Sequence, residues 1–397
     1  MVQWFHMHSL PAEDMKLIVA TFRSVFPYAS LWRPNRGDVI LVGTVEPTPW
    51  DYARLKERVA TVPGVSQDLI GMGFWSPLSV FAAFVLDGED MGRMLADVRT
   101  VHADDHPVIE YLTPRAGNDD TTTVNDAGVQ VLQTKAFPAI AGFDAARDLD
   151  SRALYLLGFA YASIGRTDPA IRLMEQSVEA PGAEAKFFVG LGNQYRARGL
   201  TGKAAAAYER ALAMTPSENE ASLQLAELAR TQGDEATARQ ILLAALGRVR
   251  DDPALAEAAA RLLIDTGRAG DVPALLAPAL ARQPGSAVLQ LLAGRALGAT
   301  EQSGPAREAL RRAAAVAGSD AGMLRECGDA MIAVGDVEGA ASAYEASSSL
   351  DASSASVFVG LARVANSRGD AAGAREARRR ALALDPYNAQ ALAMPGN

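Results

Sequence analysis

Six glycines recur at a fixed interval in the C-terminal part of the chain, and no other feature of the sequence constrains the fold as strongly. They are separated by 34, 34, 34, 68 and 34 residues: Gly165, Gly199, Gly233, Gly267, Gly335 and Gly369. The missing member of the series falls on Glu301. A fixed period of this length is typical of arrays in which each repeat packs mainly on its neighbours. Residues 151–386 are therefore predicted to form a helical solenoid of seven units.

The second unit shows the pattern around the glycine most clearly. Its apolar, small and turn positions are Phe188, Leu191, Gly192, Tyr195, Gly199, Ala204, Tyr208, Ala211 and Pro216. These positions resemble the tetratricopeptide repeat (TPR), and the resemblance covers residues 151 to about 386. The fourth unit departs from the pattern with Val272 at a position where alanine is expected, and the fifth lacks its turn glycine. The resemblance implies a pair of helices in each unit.

Stacked helix pairs form a superhelix whose concave face is lined mostly by the first helix of each unit. The second, fifth, ninth and twelfth residues of each unit are the predicted groove. Its predicted partner-binding residues are Tyr155, Phe159, Lys186, Asn193, Arg196, Arg230, Arg261, Arg295, Arg325 and Arg363. With Arg152 the groove holds eight basic residues against four acidic ones, Glu220, Glu227, Glu257 and Asp329, a balance of +4. This charge predicts an acidic protein or peptide partner, and the alternative is a solvated helix face.

The first part of the chain predicts a different structure. Residues 1–7, 28–32 and 38–45 are apolar runs of strand type, and the helix-start chemistry of Ser9 and Pro11 predicts a helix after the first. A strand, a covering helix and a further strand fit an α/β layout. The polar, turn-rich residues 117–150 contain six acidic and two basic side chains, and they are predicted to be an acidic linker. The last residues, 387–397, are predicted to be a tail.

Three blocks of residues 1–116 resemble the C-terminal portion of bacterial spermidine synthase-like proteins. They are MVQWFHMHSLPAEDMKLIVATFRSVFPYASLW, GDVILVGT and HADDHPVIEYLTPR. The resemblance implies the last part of a Rossmann-like sheet and, for the family, aminopropyl transfer from decarboxylated S-adenosylmethionine to putrescine. The family's glycine-rich nucleotide turn and its catalytic aspartate have no counterpart here, so no catalytic residue is assigned. Only Gln3 and Trp4 are predicted to border a remnant of the substrate pocket. The predicted fold class is thus mainly α, a TPR solenoid preceded by a partial α/β Rossmann-like module.

Other chemistry-bearing residues give weaker signals. The four histidines, His6, His8, His102 and His106, all lie in the first module, and imidazole with the nearby carboxylates could hold zinc or iron. A turn and a strand end explain the same residues, so no metal and no cofactor are predicted. The partial glycine fingerprint at residues 71–73 is followed by Ser76 and Pro77, which makes it a poor phosphate cradle.

The composition limits the class of protein. A single cysteine, Cys327, cannot form an internal disulfide, which predicts a reducing, cytoplasmic location. The net charge of −9 disfavours nucleic acid and anionic membranes as partners. No apolar run is long enough to span a bilayer, and the first residues do not resemble a signal peptide.

Three functions remain open from the sequence. The first is a TPR protein-interaction scaffold attached to a catalytically incomplete spermidine synthase-like module. The second is an aminopropyltransferase of polyamine synthesis whose nucleotide-binding N-terminal half is missing from this sequence. The third, a metal-dependent enzyme that uses the histidines, has the least support.

Overall fold

The structure, a computed structural model, describes residues 1–102 and 120–394. These residues belong to two units, Met1–Met214 (the N-terminal unit) and Thr215–Asn397 (the C-terminal unit). The N-terminal unit contains strands, isolated helices and two helix pairs. The C-terminal unit is helical throughout its described elements.

The described residues before position 151 form short strands and helices. In chain order they are β1 (Val2–His6), α1 (Ala12–Val25), β2 (Tyr28–Trp32), β3 (Asp38–Thr44), β4 (Trp50–Asp51), α2 (Tyr52–Thr61), α3 (Val65–Gly71), a 3₁₀ helix (Leu78–Ala83), β5 (Phe84–Asp87), α4 (Gly88–Met94), α5 (Thr122–Leu132), β6 (Ile140–Ala141) and α6 (Ala145–Asp148).

The main sheet differs from the Rossmann-like arrangement that the resemblance implied. Its order is β1-β3-β2-β5, and each described pair of neighbouring strands is antiparallel. A Rossmann sheet is mostly parallel. Here β2 and β3 are joined by a tight turn, in which the Asn35 side chain accepts hydrogen bonds from the N–H groups of Gly37 and Asp38, both at 2.9 Å. A connection this short can only join antiparallel strands. Because β3 also pairs with β1, it lies between β1 and β2.

The segment predicted as a linker also differs from the prediction, because its described residues are folded. Helix α5 places Val129, 1% exposed, in the apolar core with Leu31 and Met91. The Asn125 amide donates hydrogen bonds to the carbonyls of Leu10 at 2.8 Å and Met7 at 3.2 Å. The polar sequence conceals this role because the attachment depends on a few residues: a buried asparagine and valine one helical turn apart, and Asp126, which pairs with Arg33.

Seven helix pairs occupy described residues 151–384, one in each of the seven predicted repeats. The two pairs of the N-terminal unit are α7 (Ser151–Ser163) with α8 (Thr167–Glu179) and α9 (Ala185–Ala197) with α10 (Thr201–Met214). The five of the C-terminal unit are α11 (Asn219–Thr231) with α12 (Glu235–Arg248), α13 (Pro253–Asp265) with α14 (Val272–Arg282), α15 (Ala287–Ala299) with α16 (Ser303–Val316), α17 (Ala321–Ala333) with α18 (Val337–Leu350) and α19 (Ala355–Ser367) with α20 (Ala371–Leu384). A last short helix, α21 (Ala389–Ala393), follows.

Aspartate side chains begin several of these helices. Asp252 accepts a hydrogen bond from the Leu255 N–H at 2.9 Å at the start of α13, and Asp320 accepts one from Met323 at 2.9 Å at the start of α17. An aspartate at the N-cap satisfies a backbone donor that the helix leaves unpaired. Apolar residues of the two helices in each pair are buried against each other. The remaining residues of each helix therefore face away from the core of the pair.

Glu301 occupies the turn position of the fifth helix pair. The equivalent position in the other six pairs is a glycine. Its φ is +61°, and Gly267, at the same position one unit earlier, has φ of +73°. Because a left-handed conformation costs a non-glycine residue about 1–2 kcal/mol, we expect Glu301→Gly to raise the unfolding free energy of the C-terminal unit by about 1 kcal/mol. Urea denaturation followed by far-ultraviolet circular dichroism measures the change.

The matched control is Gly267→Ala. No atom lies within 4 Å of the added methyl group, so this variant changes only the backbone preference. We expect it to lower stability by about 1 kcal/mol. Equal stability of Glu301→Gly and the wild type would contradict the argument.

Candidate functional site

The predicted groove residues lie on one face of the first helix in each pair. These are the second, fifth, ninth and twelfth residues of each 34-residue repeat. We call them the first-helix face. In the C-terminal unit they lie on α11, α13, α15, α17 and α19, which contact one another in succession. In the N-terminal unit they lie on α7 and α9, which are also in contact.

The basic side chains of this face in the C-terminal unit are all held by carboxylates. Arg230 pairs with Glu227 at 2.7 Å and Arg261 pairs with Glu257 at 3.0 Å, each within one helix. Arg295 pairs with Glu326 of the following helix pair at 3.2 Å. The sequence count treated these charges as independent, whereas the acidic and basic members of the face neutralise one another locally.

A cleft of about 530 Å³ is lined by α11, α12 and α13 and includes side chains of the first-helix face. Buried Leu242 and Leu262 contribute to its apolar lining, and the ion pairs of Arg230 and Arg261 lie on its walls. An apolar floor with charged walls can take an extended peptide whose side chains alternate in polarity.

Asp329 joins two arginines of neighbouring helices farther along the same face. Its carboxylate lies 2.9 Å from Arg325 and 3.5 Å from Arg363, and it accepts a 2.8 Å hydrogen bond from the Tyr344 hydroxyl. Burial, together with this carboxylate, raises the pKa of Tyr344, so the hydroxyl stays protonated and serves as a donor. Three predicted groove residues, Arg295, Arg325 and Arg363, are thus brought into one ion-pair network.

The first-helix face of the N-terminal unit has a different character. Its charged members are Arg152, Lys186 and Arg196, and it contains no acidic residue at the four positions. Lys186 pairs with Glu184 at 2.7 Å, but neither Arg152 nor Arg196 forms an ion pair with any residue that the structure describes. Asn193 accepts a 2.7 Å hydrogen bond from the Tyr208 hydroxyl, which fixes the orientation of its amide.

Aromatic rings line the same face. Tyr155 stacks on buried Phe187 with ring centres 4.4 Å apart, and Phe159 lies 6.5 Å from Tyr155. Burial raises the pKa of Tyr155 above its usual range. The sequence prediction missed the next ring, Trp75, which lies edge-on to Phe159 at 6.0 Å and is 50% exposed. The sequence signal for this ring was a tryptophan between Gly73 and Pro77, two residues that favour a loop.

The predicted remnant of a substrate pocket lies elsewhere. Gln3 and Trp4 belong to β1, which is exposed along most of its length. The Trp4 ring packs edge-on against His6 at 4.2 Å and is 51% exposed. The partial glycine fingerprint is part of α3 and the loop after it, where Gly73 has φ of +87° and lies against Ser163 of α7. The close contact with α7 accounts for the glycine there.

The histidines do not form a cluster within the described ranges. His6 pairs with Asp38 at 2.6 Å and His8 lies 3.8 Å from Asp120, but no group of three or more histidine, cysteine, aspartate or glutamate side chains with metal-binding geometry occurs in the described part of the chain. His106 lies outside the described residues. Cys327 is fully buried in the helical core, and burial raises its pKa to about 11. Among the helices of residues 1–102 and 120–394, none has the length and hydropathy of a membrane span.

Comparisons with known proteins agree with the helical repeats. Two sequence models described as tetratricopeptide repeat match the chain, one over residues 189–255 and 328–389 and the other over residues 151–183. No curated protein matches the chain. No match supports a spermidine synthase-like portion in residues 1–116.

Solved structures with similar folds include several repeat proteins. PilW, described as a type IV pilus biogenesis factor, is 21% identical, and the alignment covers 52% of this chain and 96% of that one with a TM-score of 0.45. A tetratricopeptide repeat protein from Parabacteroides merdae is 14% identical over 60% of this chain and 94% of its own, also with a TM-score of 0.45. YrrB, described as a TPR protein with an unusual peptide-binding site, is 15% identical over 55% of this chain and 95% of its own, with a TM-score of 0.37.

At these identities and TM-scores the solved structures do not identify the repeat family. The matches of the two sequence models do. Those matches fall on helix pairs of both units, with the 34-residue period that the glycines mark. The chain is therefore a tetratricopeptide repeat-containing protein.

Proposed function

We propose that the chain is a protein-interaction scaffold that takes an extended, acidic segment of a partner protein along its first-helix face. The observation that carries the proposal is the contact between successive first helices within each of the two units, which places basic and apolar side chains of neighbouring helix pairs on one face. Solenoids use such continuous faces to bind extended ligands.

The internal ion pairs define how an acidic segment would bind in the C-terminal unit. An arginine that is already paired offers the remaining donors of its planar guanidinium to a second carboxylate. Because exposed pairs contribute only about 0–1 kcal/mol each, a ligand carboxylate can replace the internal one at little cost. The proposal includes the cytoplasmic location that the single cysteine suggests, and a protein rather than a nucleic acid as the partner.

The aminopropyltransferase alternative is not part of this proposal. Gln3 and Trp4 lie on an exposed strand, and no match supports the spermidine synthase-like module.

The test is site-specific photocrosslinking on the full chain. A photoreactive amino acid is placed at Ala258, which lines the cleft between α11 and α13, or at Gln240, an exposed position of α12 outside that cleft. The probe is a display library of random peptides selected on the wild-type chain. We expect the selected peptides to be acidic and to crosslink from first-helix positions such as 258, with little or no product from position 240.

Selected peptides that crosslink from position 240 as efficiently as from first-helix positions would contradict the assignment of the face. Failure to enrich any peptide on the wild-type chain would contradict the scaffold function itself.

A further inference from the structure

The loop that follows α3 is attached to the first helix pair by a close contact. A methyl group at Gly73 would lie 2.7 Å from the Ser163 side chain of α7, so only glycine allows this approach. The next residue, Phe74, is 3% exposed and shares an apolar cluster with Leu157 and Tyr161 of the same helix. The loop is thus held at Gly73 and at Phe74, directly before Trp75.

The attachment extends the aromatic surface of the helix pairs by one ring. Trp75, Phe159, Tyr155 and Phe187 follow one another with ring centres 6.0, 6.5 and 4.4 Å apart. Phe187 is buried and Tyr155 and Phe159 are half-buried, while half of the Trp75 surface is open to solvent. A rigid aromatic ring that is half exposed beside others is the type of anchor that dominates protein interfaces. We call these four residues the aromatic row.

The charged members of the first-helix face beside the aromatic row are all basic, and one of them, Lys186, is paired with Glu184. The first-helix face here has three basic residues and no acidic one, whereas that of the C-terminal unit has five basic and four acidic residues. All five arginines on the first-helix face of the C-terminal unit have carboxylate partners, whereas Arg152 and Arg196 have none among the described residues. Arg152 precedes Tyr155 by one helical turn, and the Lys186 ammonium lies 5.6 Å from the centre of the Phe187 ring. Positive charge thus accompanies the rings along both helices.

From this we infer that the aromatic row, with Arg152, Lys186 and Arg196, is the primary docking surface of the chain, and that it takes an acidic peptide carrying an aromatic or large aliphatic residue beside its carboxylates. The inference rests on the proposed scaffold function and names the part of the face that selects the partner. A carboxylate gains more at unpaired arginines than at paired ones, because no internal ion pair has to be exchanged. The apolar side chain of the peptide packs on the exposed surface of Trp75.

Peptides selected from the random library on the wild-type full chain provide the test. Each is synthesised with a fluorescent label, and its affinity is measured by fluorescence anisotropy for the wild type, Trp75→Ser, the double variant Arg152→Glu with Arg196→Glu, and Trp4→Ser. Trp4 is the matched control because its ring is exposed to the same degree, 51% against 50%, on a strand outside the proposed surface. Circular dichroism melts check that all variants fold.

We expect selected peptides to combine acidic residues with a nearby aromatic or large aliphatic residue. Affinity should fall at least about 10-fold in Trp75→Ser and in the double variant, as for the loss of an interface anchor, and should be unchanged in Trp4→Ser. Peptides that crosslink from position 258 and bind Trp75→Ser and the double variant as tightly as wild type would overturn this inference and leave the scaffold function intact. If the wild-type chain enriches no peptide at all, both proposals fail.

Discussion

We expect Asp126→Asn to lower the unfolding free energy of the N-terminal unit by about 3–5 kcal/mol, because it leaves a buried arginine without its counter-ion. The Arg33 guanidinium is 3% exposed and pairs with the Asp126 carboxylate of α5. Burial, followed by the positive charges of Arg166 and Arg36, lowers the pKa of Arg33 to about 10. Burial and the neighbouring cations thus disfavour the charge of Arg33, and the Asp126 carboxylate is its ion-pair partner. Asparagine keeps the shape of aspartate and removes only its charge.

Tryptophan fluorescence makes this measurement specific to the N-terminal unit. All four tryptophans, Trp4, Trp32, Trp50 and Trp75, lie there, and buried Trp32 directly precedes Arg33. Urea titrations of wild type and Asp126→Asn, followed by fluorescence, give the change in unfolding free energy.

The matched control is Asp97→Asn, the same substitution at an exposed ion pair. Asp97 is 69% exposed and lies 2.6 Å from Lys16, so solvent screens this pair and its loss should change the stability little. A second variant, Arg33→Met with Asp126→Leu, removes both charges and should recover most of the lost stability. Similar unfolding midpoints for the Asp126 and Asp97 variants would show that the buried charge is compensated in another way.

The second large effect is expected at Tyr344 in the C-terminal unit. Its side chain is fully buried, and replacing a buried aromatic residue by alanine costs about 3–5 kcal/mol through lost contacts and the cavity left behind. Tyr344→Phe keeps the ring and loses only the hydrogen bond to Asp329, which should cost about 1 kcal/mol. Hydrogen exchange of peptides from α17, α18 and α19, read by mass spectrometry, locates the loss.

Gly360 makes the test sharper, because an added methyl group there would lie 2.4 Å from the Tyr344 ring. Gly360→Ala should therefore destabilise the wild type by about 1–3 kcal/mol through overpacking. In the Tyr344→Ala background the ring is absent, so the same substitution should cost much less. Gly247→Ala on α12, where nothing lies within 4 Å, is the control for the helical preference of alanine. Additive losses in the double variant would be inconsistent with direct packing of the ring on Gly360.

The repeat was predictable because its signal is periodic and local. The glycine spacing indicated the turn of each helix pair, and even the departure at Glu301 corresponds to a residue in the left-handed conformation of its neighbours. Within each of the two units, each pair packs on the next one in sequence, so the pattern contains most of the information that places it.

The structure before residue 151 was less predictable because its contacts are distant in sequence. Strand-type runs and the turn around Asn35 were recognisable, but the order of the strands and the burial of Val129 depend on pairings that no local pattern encodes. The candidate site divides in the same way. Helix phase placed Tyr155, Arg230 and Arg363 on the first-helix face, whereas the pairing of the arginines and the position of Trp75 required the three-dimensional structure.

The hydrogen bonds of Asn125 also have a consequence for the order of events during synthesis. They connect residues that are 118 and 115 positions apart, to Met7 and Leu10. On a ribosome, the core beneath the sheet cannot close until α5 has emerged. Strand β1 therefore waits while more than a hundred further residues are translated. A helix pair needs only its own two helices, and contacts this short in sequence form quickly. The sheet at the start of the chain and the helix pairs that follow it therefore become able to fold within a short interval of each other, although the sheet is made first.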